Sequence, residues 1–249
     1  MTTYLPPIDN PDAIYRLHVK RWDPDRDADG RWQTFTVPWV RTMTVVEALE
    51  WLWDQGEYVA FRANCREFTC GSCAMLVNGK PQLACDTPLQ NDMRVEPLTR
   101  FPVLKDLVVA SGDSKETWKA LQLWPSNPEL GPIANASSQA QEGWHRSFAR
   151  CIECYCCLDA CPASDSDASP FIGPMWMLQI ARAGAHPLDT LDRAGQASRH
   201  GMALCVNCYE CQDVCPVNLS PVDEIQRLRR QEVLGSVKSL FGLRRTGGR

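Results

Sequence analysis

No stretch of this 249-residue chain approaches the roughly twenty consecutive apolar residues of a membrane-spanning helix. No amino-terminal apolar segment marks it for export, so the chain is expected to be soluble by itself. It also lacks a strong charge. The formal net charge is −4, with Lys and Arg scattered except near the carboxyl end, and no nucleic-acid partner is expected. No Ser-His-Asp set, carboxylate pair or phosphate loop stands out, so catalysis by this chain's own acids, bases or nucleophiles is not expected. Cysteine is what it has. Thirteen of them in a chain without an export signal point to metal in a reducing compartment, not to disulfides. The length allows one large or two modest domains, and nine tryptophans leave room for partner-facing surfaces.

Residues 151–162 organise the rest. Cys151, Cys154, Cys157 and Cys161, followed by Pro162, have the spacing C-x2-C-x2-C-x3-C-P, the bacterial ferredoxin run. Its first three thiolates wrap one iron-sulfur cube while the fourth serves a different cluster. The second run lies some fifty residues on, as Cys205, Cys208, Cys211, Cys215 and Pro216. Reciprocal exchange then assigns Cys151, Cys154, Cys157 and Cys215 to one cube, and Cys205, Cys208, Cys211 and Cys161 to the other. Zinc is the competing reading, but zinc sites close at four ligands and do not need two interleaved quartets each ending in Cys-Pro. Cys156 falls outside the spacing and reads as a packed or weakly hydrogen-bonding thiol.

The amino-terminal part carries a different pattern. Tyr15, Leu17 and Val19 alternate with Arg16, His18 and Lys20, a half-buried strand with His18 on its solvent side. A turn at residues 23–30 and a second strand at 32–40 make a hairpin. Thr44-Val-Val-Glu47 is a capping box that starts a helix, with Val45, Ala48, Leu49 and Leu52 facing the sheet and Gly56 ending it. Trp51 and Trp53 read as packing or interface residues. Cys65, Cys70 and Cys73 follow at C-x4-C-x2-C, and Cys85 comes twelve positions later, which is the plant-type [2Fe-2S] spacing. Gly71 suits a loop that curls around sulfide. An Asn78-Gly79 turn returns the chain so that Cys85 sits on the far arm of a hairpin. A hairpin crossed by a helix and followed by further strands is the order of a β-grasp unit. A zinc knuckle is the alternative.

The remaining segments are read as connections and helices. Met93 and Val95 form a last short strand, 104–109 an apolar connector, and 111–143 an aperiodic linker anchored by Trp118, Leu121 and Trp124. Residues 1–11 read as an arm, 144–150 as a helix into the first cysteine run, and 163–169 as a loop. Helices are expected over 174–183, where Pro174 suits the first turn, over 188–200, and from Pro221 onward. His186 and His200 read as surface residues. The expected class is α+β: a β-grasp [2Fe-2S] domain over 1–105, a linker over 106–143, an α-helical ferredoxin domain binding two cubane-type clusters over 144–237, and a basic tail over 238–249. The three arginines in 243–249 suit anionic headgroups.

One plant-type pattern followed by two ferredoxin runs closely resembles the iron-sulfur subunit of succinate dehydrogenase and fumarate reductase. The resemblance rests on Cys65-Arg66, Cys70-Gly71-Ser72-Cys73, Asn78-Gly79-Lys80, Leu83-Ala84-Cys85, Phe171-Ile172-Gly173-Pro174 and the runs 151–162 and 205–216, and it covers nearly the whole chain. It implies a flavoprotein partner with covalent FAD that interconverts succinate and fumarate. It implies membrane-anchor subunits that hold the chain peripherally on the cytoplasmic face of a bacterial cell membrane, and a quinone, menaquinone or ubiquinone, near the carboxyl-terminal domain. Single electrons would pass through the chain. Arg66, beside Cys65, and Pro162 are cofactor-side candidates, Arg66 as a tuner of potential. Two alternatives stand beside this reading. One is a subunit of another flavin-dependent reductase of the heterodisulfide reductase or glycolate oxidase type, and the other is a free-standing multi-cluster ferredoxin.

The chain departs from the family in two places, and at a further position the family itself varies. Some relatives carry aspartate where this chain has Cys73. Most have a non-cysteine residue at the position of Cys208 and hold a [3Fe-4S] third cluster, whereas Cys208 here favours [4Fe-4S], with [3Fe-4S] as the alternative. Many ubiquinone-reducing relatives place tryptophans shortly after the first Cys-Pro and a histidine after the Cys205 equivalent. This chain has Ala163, Ser164, Asp165, Ser166 and Val206, so the expectation is that quinone is bound mainly by membrane subunits, or that a further redox centre in them receives the electron first.

Overall fold

Alternation sets the first two strands. β1 (Ile14–Arg21) pairs antiparallel with β2 (Arg31–Pro38), from Ile14 opposite Pro38 to Arg21 opposite Arg31. Leu17, Val19 and Val37 are fully buried, each burial stabilising by roughly 1.5–3 kcal/mol. On the opposite face His18 places Nδ1 2.9 Å from the Thr34 hydroxyl. Helix α1 (Val45–Asp54) begins at the expected capping box: the Thr44 hydroxyl accepts from the Glu47 amide at 3.4 Å, and the Glu47 carboxylate accepts from the Thr44 amide at 2.7 Å. Its Val45, Val46, Ala48, Leu49 and Leu52 are buried.

The five-stranded sheet is completed by β3 (Ala74–Val77), β4 (Lys80–Leu83) and β5 (Met93–Glu96), in the order β2-β1-β5-β3-β4. The β3-β4 turn runs through Asn78 and Gly79 at φ of 50° and 78°, the positive values that a two-residue hairpin requires. Asn78 Oδ1 also accepts from the Arg94 amide at 2.8 Å, which pins the turn to β5. β5, the last of these strands in chain order as expected, is central in the sheet and parallel to β1. Its alternating Met93 and Val95 are buried between neighbours on both sides.

The chain then corrects the connector and linker readings. β6 (Val103–Lys105) and β7 (Val108–Val109) form a small antiparallel pair. Asp106 at their turn is buried and accepts from Arg21 Nε at 2.8 Å, the Trp22 amide at 3.1 Å and the Ala60 amide at 2.9 Å. A buried carboxylate with these donors recruits a segment whose hydrophobicity alone marks no strand. Further on, residues expected to be aperiodic contain helix α2 (Ser114–Ala120).

The computed structural model describes residues 14–111, 114–126, 149–164, 169–186 and 188–241. The arm at 1–11, residues 112–113 and 127–143 of the linker, the greater part of the helix expected at 144–150, Asp165, Ser166 and the residues 242–249 of the tail lie outside the described residues. The chain divides into one unit of residues 1–111 with 152–160 and another of 112–151 with 161–249. The first unit holds the β-grasp sheet and a four-residue helix α3 (Cys156–Asp159).

The second unit is helical. Its centre is α4 (Pro174–Gly184), buried along almost its whole length, with Pro174 in the first turn. It packs on α5 (Arg193–Arg199) and α7 (Pro221–Leu240); the short α6 (Glu210–Asp213) lies between. The expected helix over 188–200 is confined to α5, because Asp192 caps it by accepting from the Gly195 amide at 3.0 Å. Buried Arg193 explains the preceding turn. It binds Asp189 at 2.8 and 2.9 Å and donates to the carbonyls of Leu121, Gln122 and Trp124. Of the three expected anchors, Leu121 is buried, Trp118 is half-buried and the Trp124 ring is about half exposed.

Candidate metal centres

The loop before β3 carries the plant-type cysteines on a bent backbone, with Arg66 and Phe68 at φ of 59° and 45°. Cys65 Sγ accepts from the Glu67 amide at 3.4 Å and the Cys70 amide at 3.3 Å. Hydrogen bonding from Thr69 and from these neighbours pulls the Cys65 thiol down to about 6. Cys70 Sγ lies 3.1 Å from the Ser72 hydroxyl. Cys73 is buried, and burial pushes its thiol up to about 12, with Cys85 and Cys70 adding to the effect. A bond of 3.2 Å from the Ala84 amide to the Cys73 carbonyl places the far arm with Cys85 beside it. A buried thiol such as Cys73 therefore needs a metal to become a thiolate at neutral pH. Arg66 ion-pairs at 2.6 Å with Glu50, a buried carboxylate on α1.

The same unit carries the middle of the first ferredoxin run. Gly71 has φ of +70°, and a Cβ there would stand 2.7 Å from the Ile152 carbonyl and 3.0 Å from Cys154 Cα and Cβ. Only glycine allows the two cysteine loops to meet this closely. Cys154 and Cys156 are buried. A hydrogen bond with Cys154, together with burial, raises the Cys156 thiol strongly, and the same bond lowers Cys154. Of the two thiols, Cys156 is therefore the one that holds its proton more firmly. The loop is fastened at α3, where Asp159 Oδ1 accepts from the Thr99 amide at 2.6 Å, the Arg100 amide at 3.1 Å and the Thr99 hydroxyl at 3.1 Å. A partly open cavity lies against Cys70, Gly71, Cys154 and Tyr155.

In the second unit, Cys161, Cys205, Cys208 and Cys211 all line one small, partly open cavity. Burial pushes the Cys211 thiol up to about 12, and Cys161, Cys205 and Cys208 are close enough to add to the effect. Cys208 is exposed. Pro162 opens a 3-10 turn, Pro162–Ser164, behind Cys161. Cys151 and Cys215 pack on Leu178, Ala185 and Leu219, and Cys215 Sγ accepts from the Leu219 amide at 3.2 Å. Cys154 and Cys157 belong to the other unit.

All three cysteine loops share a feature that sequence reasoning missed. Glu153 and Tyr155 have φ of 51° and 66°, and Asn207 and Tyr209 have φ of 58° and 67°, at matching positions of the two runs. Left-handed residues alternating with ordinary ones turn successive amides toward one concavity, the geometry that binds anionic groups and iron-sulfur clusters. Each such residue costs on the order of 1 kcal/mol. Asn207 was the one legible signal, since asparagine tolerates this conformation; nothing in glutamate or tyrosine announces it. Thiolate donors on amide-lined loops fit iron-sulfur clusters. Among the described residues, no three of His, Cys, Asp or Glu are gathered tightly enough for a single metal ion.

Residues 16–119 match the model of a 2Fe-2S iron-sulfur cluster binding domain, and residues 147–219 that of a 4Fe-4S dicluster domain. The fumarate reductase iron-sulfur subunit of Mycobacterium tuberculosis is 30% identical over 90% of this chain and 95% of its own. The chain belongs to the iron-sulfur subunits of succinate dehydrogenase and fumarate reductase. A chain of the Mycobacterium smegmatis Sdh1 complex in the apo form matches this subunit at a TM-score of 0.79 and 30% identity, covering 91% of this chain and 97% of that one. A fumarate reductase (CoM/CoB) subunit of Methanothermobacter marburgensis is 30% identical over 87% of this chain, which spans only 44% of that protein's length. As in its family, this iron-sulfur subunit carries the 2Fe-2S domain first and the dicluster domain second, and it serves electron transfer.

Proposed function

We propose that this subunit relays single electrons between a FAD-bearing flavoprotein, where succinate and fumarate are interconverted, and quinone at a membrane anchor. The observation that carries the reading is the contact at Gly71, which seats the plant-type cysteine loop on the first ferredoxin loop within one unit. Cys65, Cys70, Cys73 and Cys85 hold a [2Fe-2S] cluster on the flavin side. Cys151, Cys154, Cys157 and Cys215 hold a [4Fe-4S] cluster, and Cys161, Cys205, Cys208 and Cys211 hold the third. When bound, the clusters supply one-electron carriers; the residues described above hold them, donate to their sulfurs and limit water. Cys208 lines the same cavity as the other three cysteines, which supports a [4Fe-4S] third cluster.

No described helix is long and apolar enough to cross a membrane. The end of α7, however, exposes Val233, Leu234, Val237, Leu240 and Phe241, at spacings that share a helix face. This supports docking on an anchor subunit at the cytoplasmic face. Val206 is exposed at the rim of the third cavity and offers quinone no hydrogen bond, so menaquinone or ubiquinone is held by the anchor.

Purification of the native complex through a tag on this chain tests the proposal. A covalently flavinylated subunit, succinate- or fumarate-linked quinone turnover and three clusters are expected; a monodisperse lone chain with all its clusters and no affinity for a flavoprotein would sink it. A second reading rests on the Methanothermobacter relative, whose name pairs fumarate reduction with CoM/CoB. In that case the purified complex would exchange electrons with thiols or a disulfide and not with quinone.

A further inference from the structure

Arg229, on α7, reaches the loop that leads into the third cysteine cavity. Its Nη2 donates to the carbonyls of Met202 at 2.8 Å, Ala203 at 3.1 Å and Cys205 at 2.7 Å, and its Nη1 donates to Asn207 Oδ1 at 3.2 Å. Gln226, one turn earlier on the helix, donates to the same Asn207 oxygen. Four acceptors within six residues of chain are thus gathered on one planar fork, which lysine could not reproduce. Among them is the side chain of Asn207, whose left-handed backbone is held in place by these bonds.

Among the described residues, every partner of Arg229 is a neutral oxygen, and no carboxylate pairs with it. Its charge is therefore not cancelled locally, and it bears directly on the backbone of Cys205, a ligand in the proposed assignment. A cluster gains negative charge on reduction, so a fixed cation beside it favours the reduced form.

We infer that Arg229 is the positioning residue of the third cluster: it holds Asn207, between Cys205 and Cys208, in its left-handed form and keeps the cluster's midpoint potential high through its uncompensated charge. The inference rests on the electron-relay reading above and concerns its electron-accepting end. It does not depend on nuclearity, since a three-iron and a four-iron cluster respond to a cation in the same direction.

The test is redox potentiometry of the purified complex, followed by electron paramagnetic resonance, for the native protein, Arg229→Gln and Arg229→Lys. In Arg229→Gln the third-cluster midpoint should fall while the other two midpoints stay in place. Arg229→Lys, which keeps the charge but not the fork, should remain near the native midpoint, with a broadened signal from a less uniform loop. An unchanged midpoint in Arg229→Gln, or equal falls in both variants, would overturn the inference. If Arg229→Gln loses the third cluster, Arg229→Lys decides: a native-like midpoint upholds the charge role, and loss of the cluster there too overturns it. A native complex with no third cluster at all would instead count against the electron-relay reading.

Discussion

The two ferredoxin runs have the same spacing and the same left-handed positions, yet opposite surroundings. In the first, Cys154 and Cys156 are buried, Tyr155 packs edge-on against Phe101 with ring centroids 5.0 Å apart, and the fastening group is the Asp159 carboxylate holding amides. In the second, Cys208, Val206 and Tyr209 are exposed, and the fastening group is the Arg229 guanidinium holding carbonyls. Backbone geometry therefore supplies what any cluster needs, and the sign of the fastening charge supplies what differs. An anion disfavours reduction and a cation favours it, so electrons should rest preferentially on the second run's cluster.

Removing one cysteine from each run should break the comparison most sharply. Cys154→Ala takes a buried cysteine, a ligand in the proposed assignment, from a loop with the buried Cys156 thiol beside it, and the first cube and quinone turnover should both be lost. Cys208→Ala takes an exposed cysteine, a ligand in the proposed assignment, from a cavity that keeps three others. Its cluster should survive with three irons and acquire an odd-electron signal when oxidised, absent from the native complex. A three-iron signal of full intensity in fresh anaerobic native material would show that Cys208 is no ligand.

Gly71 marks the next effect. A Cβ would meet backbone at 2.7 Å, and φ of +70° is itself unfavourable for alanine. Gly71→Ala should therefore cost about 2 kcal/mol, measurable as a lowered unfolding temperature of the complex. The magnetic interaction between the [2Fe-2S] and first-cube signals should weaken as the loops separate. An unchanged temperature and interaction would show that the loops yield without strain.

At Asp159, alanine would strand the Thr99 and Arg100 amides and cost about 1–3 kcal/mol. Asp159→Asn keeps an acceptor oxygen and should cost less, while removing the anion and raising the first cube's midpoint. A midpoint that stays put in Asp159→Asn would break the sign argument for that run.

Much of this was legible in the sequence for physical reasons. Cysteine spacing is dictated by cluster size, alternation in β1 by burial, and the Thr44 box by the orphan amides of a helix start. What escaped depended on distant partners. The β6-β7 pair exists because Asp106 finds Arg21 eighty-five residues away, and the span expected to be one long helix yields to Arg193 because that side chain closes on Leu121, Gln122 and Trp124. Asp159 and Arg229 lie inside a helix pattern each, and only the fold shows which loop each one holds.

The smallest effect concerns the [2Fe-2S] loop, where the two signs meet. Glu50 is buried on α1; one oxygen accepts from Arg66, and the other has no hydrogen-bond partner among the described residues. Burial raises its carboxyl above the usual range, and Arg66 pulls it partly back. A carboxyl raised in the folded state contributes stability that is fully present below its unfolded value and is lost as pH rises through its folded value. At neutral pH the ionised group is therefore a net cost. Glu50→Gln should stabilise the complex by up to about 1 kcal/mol at pH 7–8, because Arg66 is exposed and returns to water freely, and the gain should disappear on acidification to about pH 4. The substitution also leaves Arg66 as an unpaired cation beside Cys65. By the sign rule drawn from the two runs, the [2Fe-2S] midpoint should rise slightly while both cube midpoints stay fixed. A fall in that midpoint would mean that Arg66 acts through the shape of its loop and not through its charge.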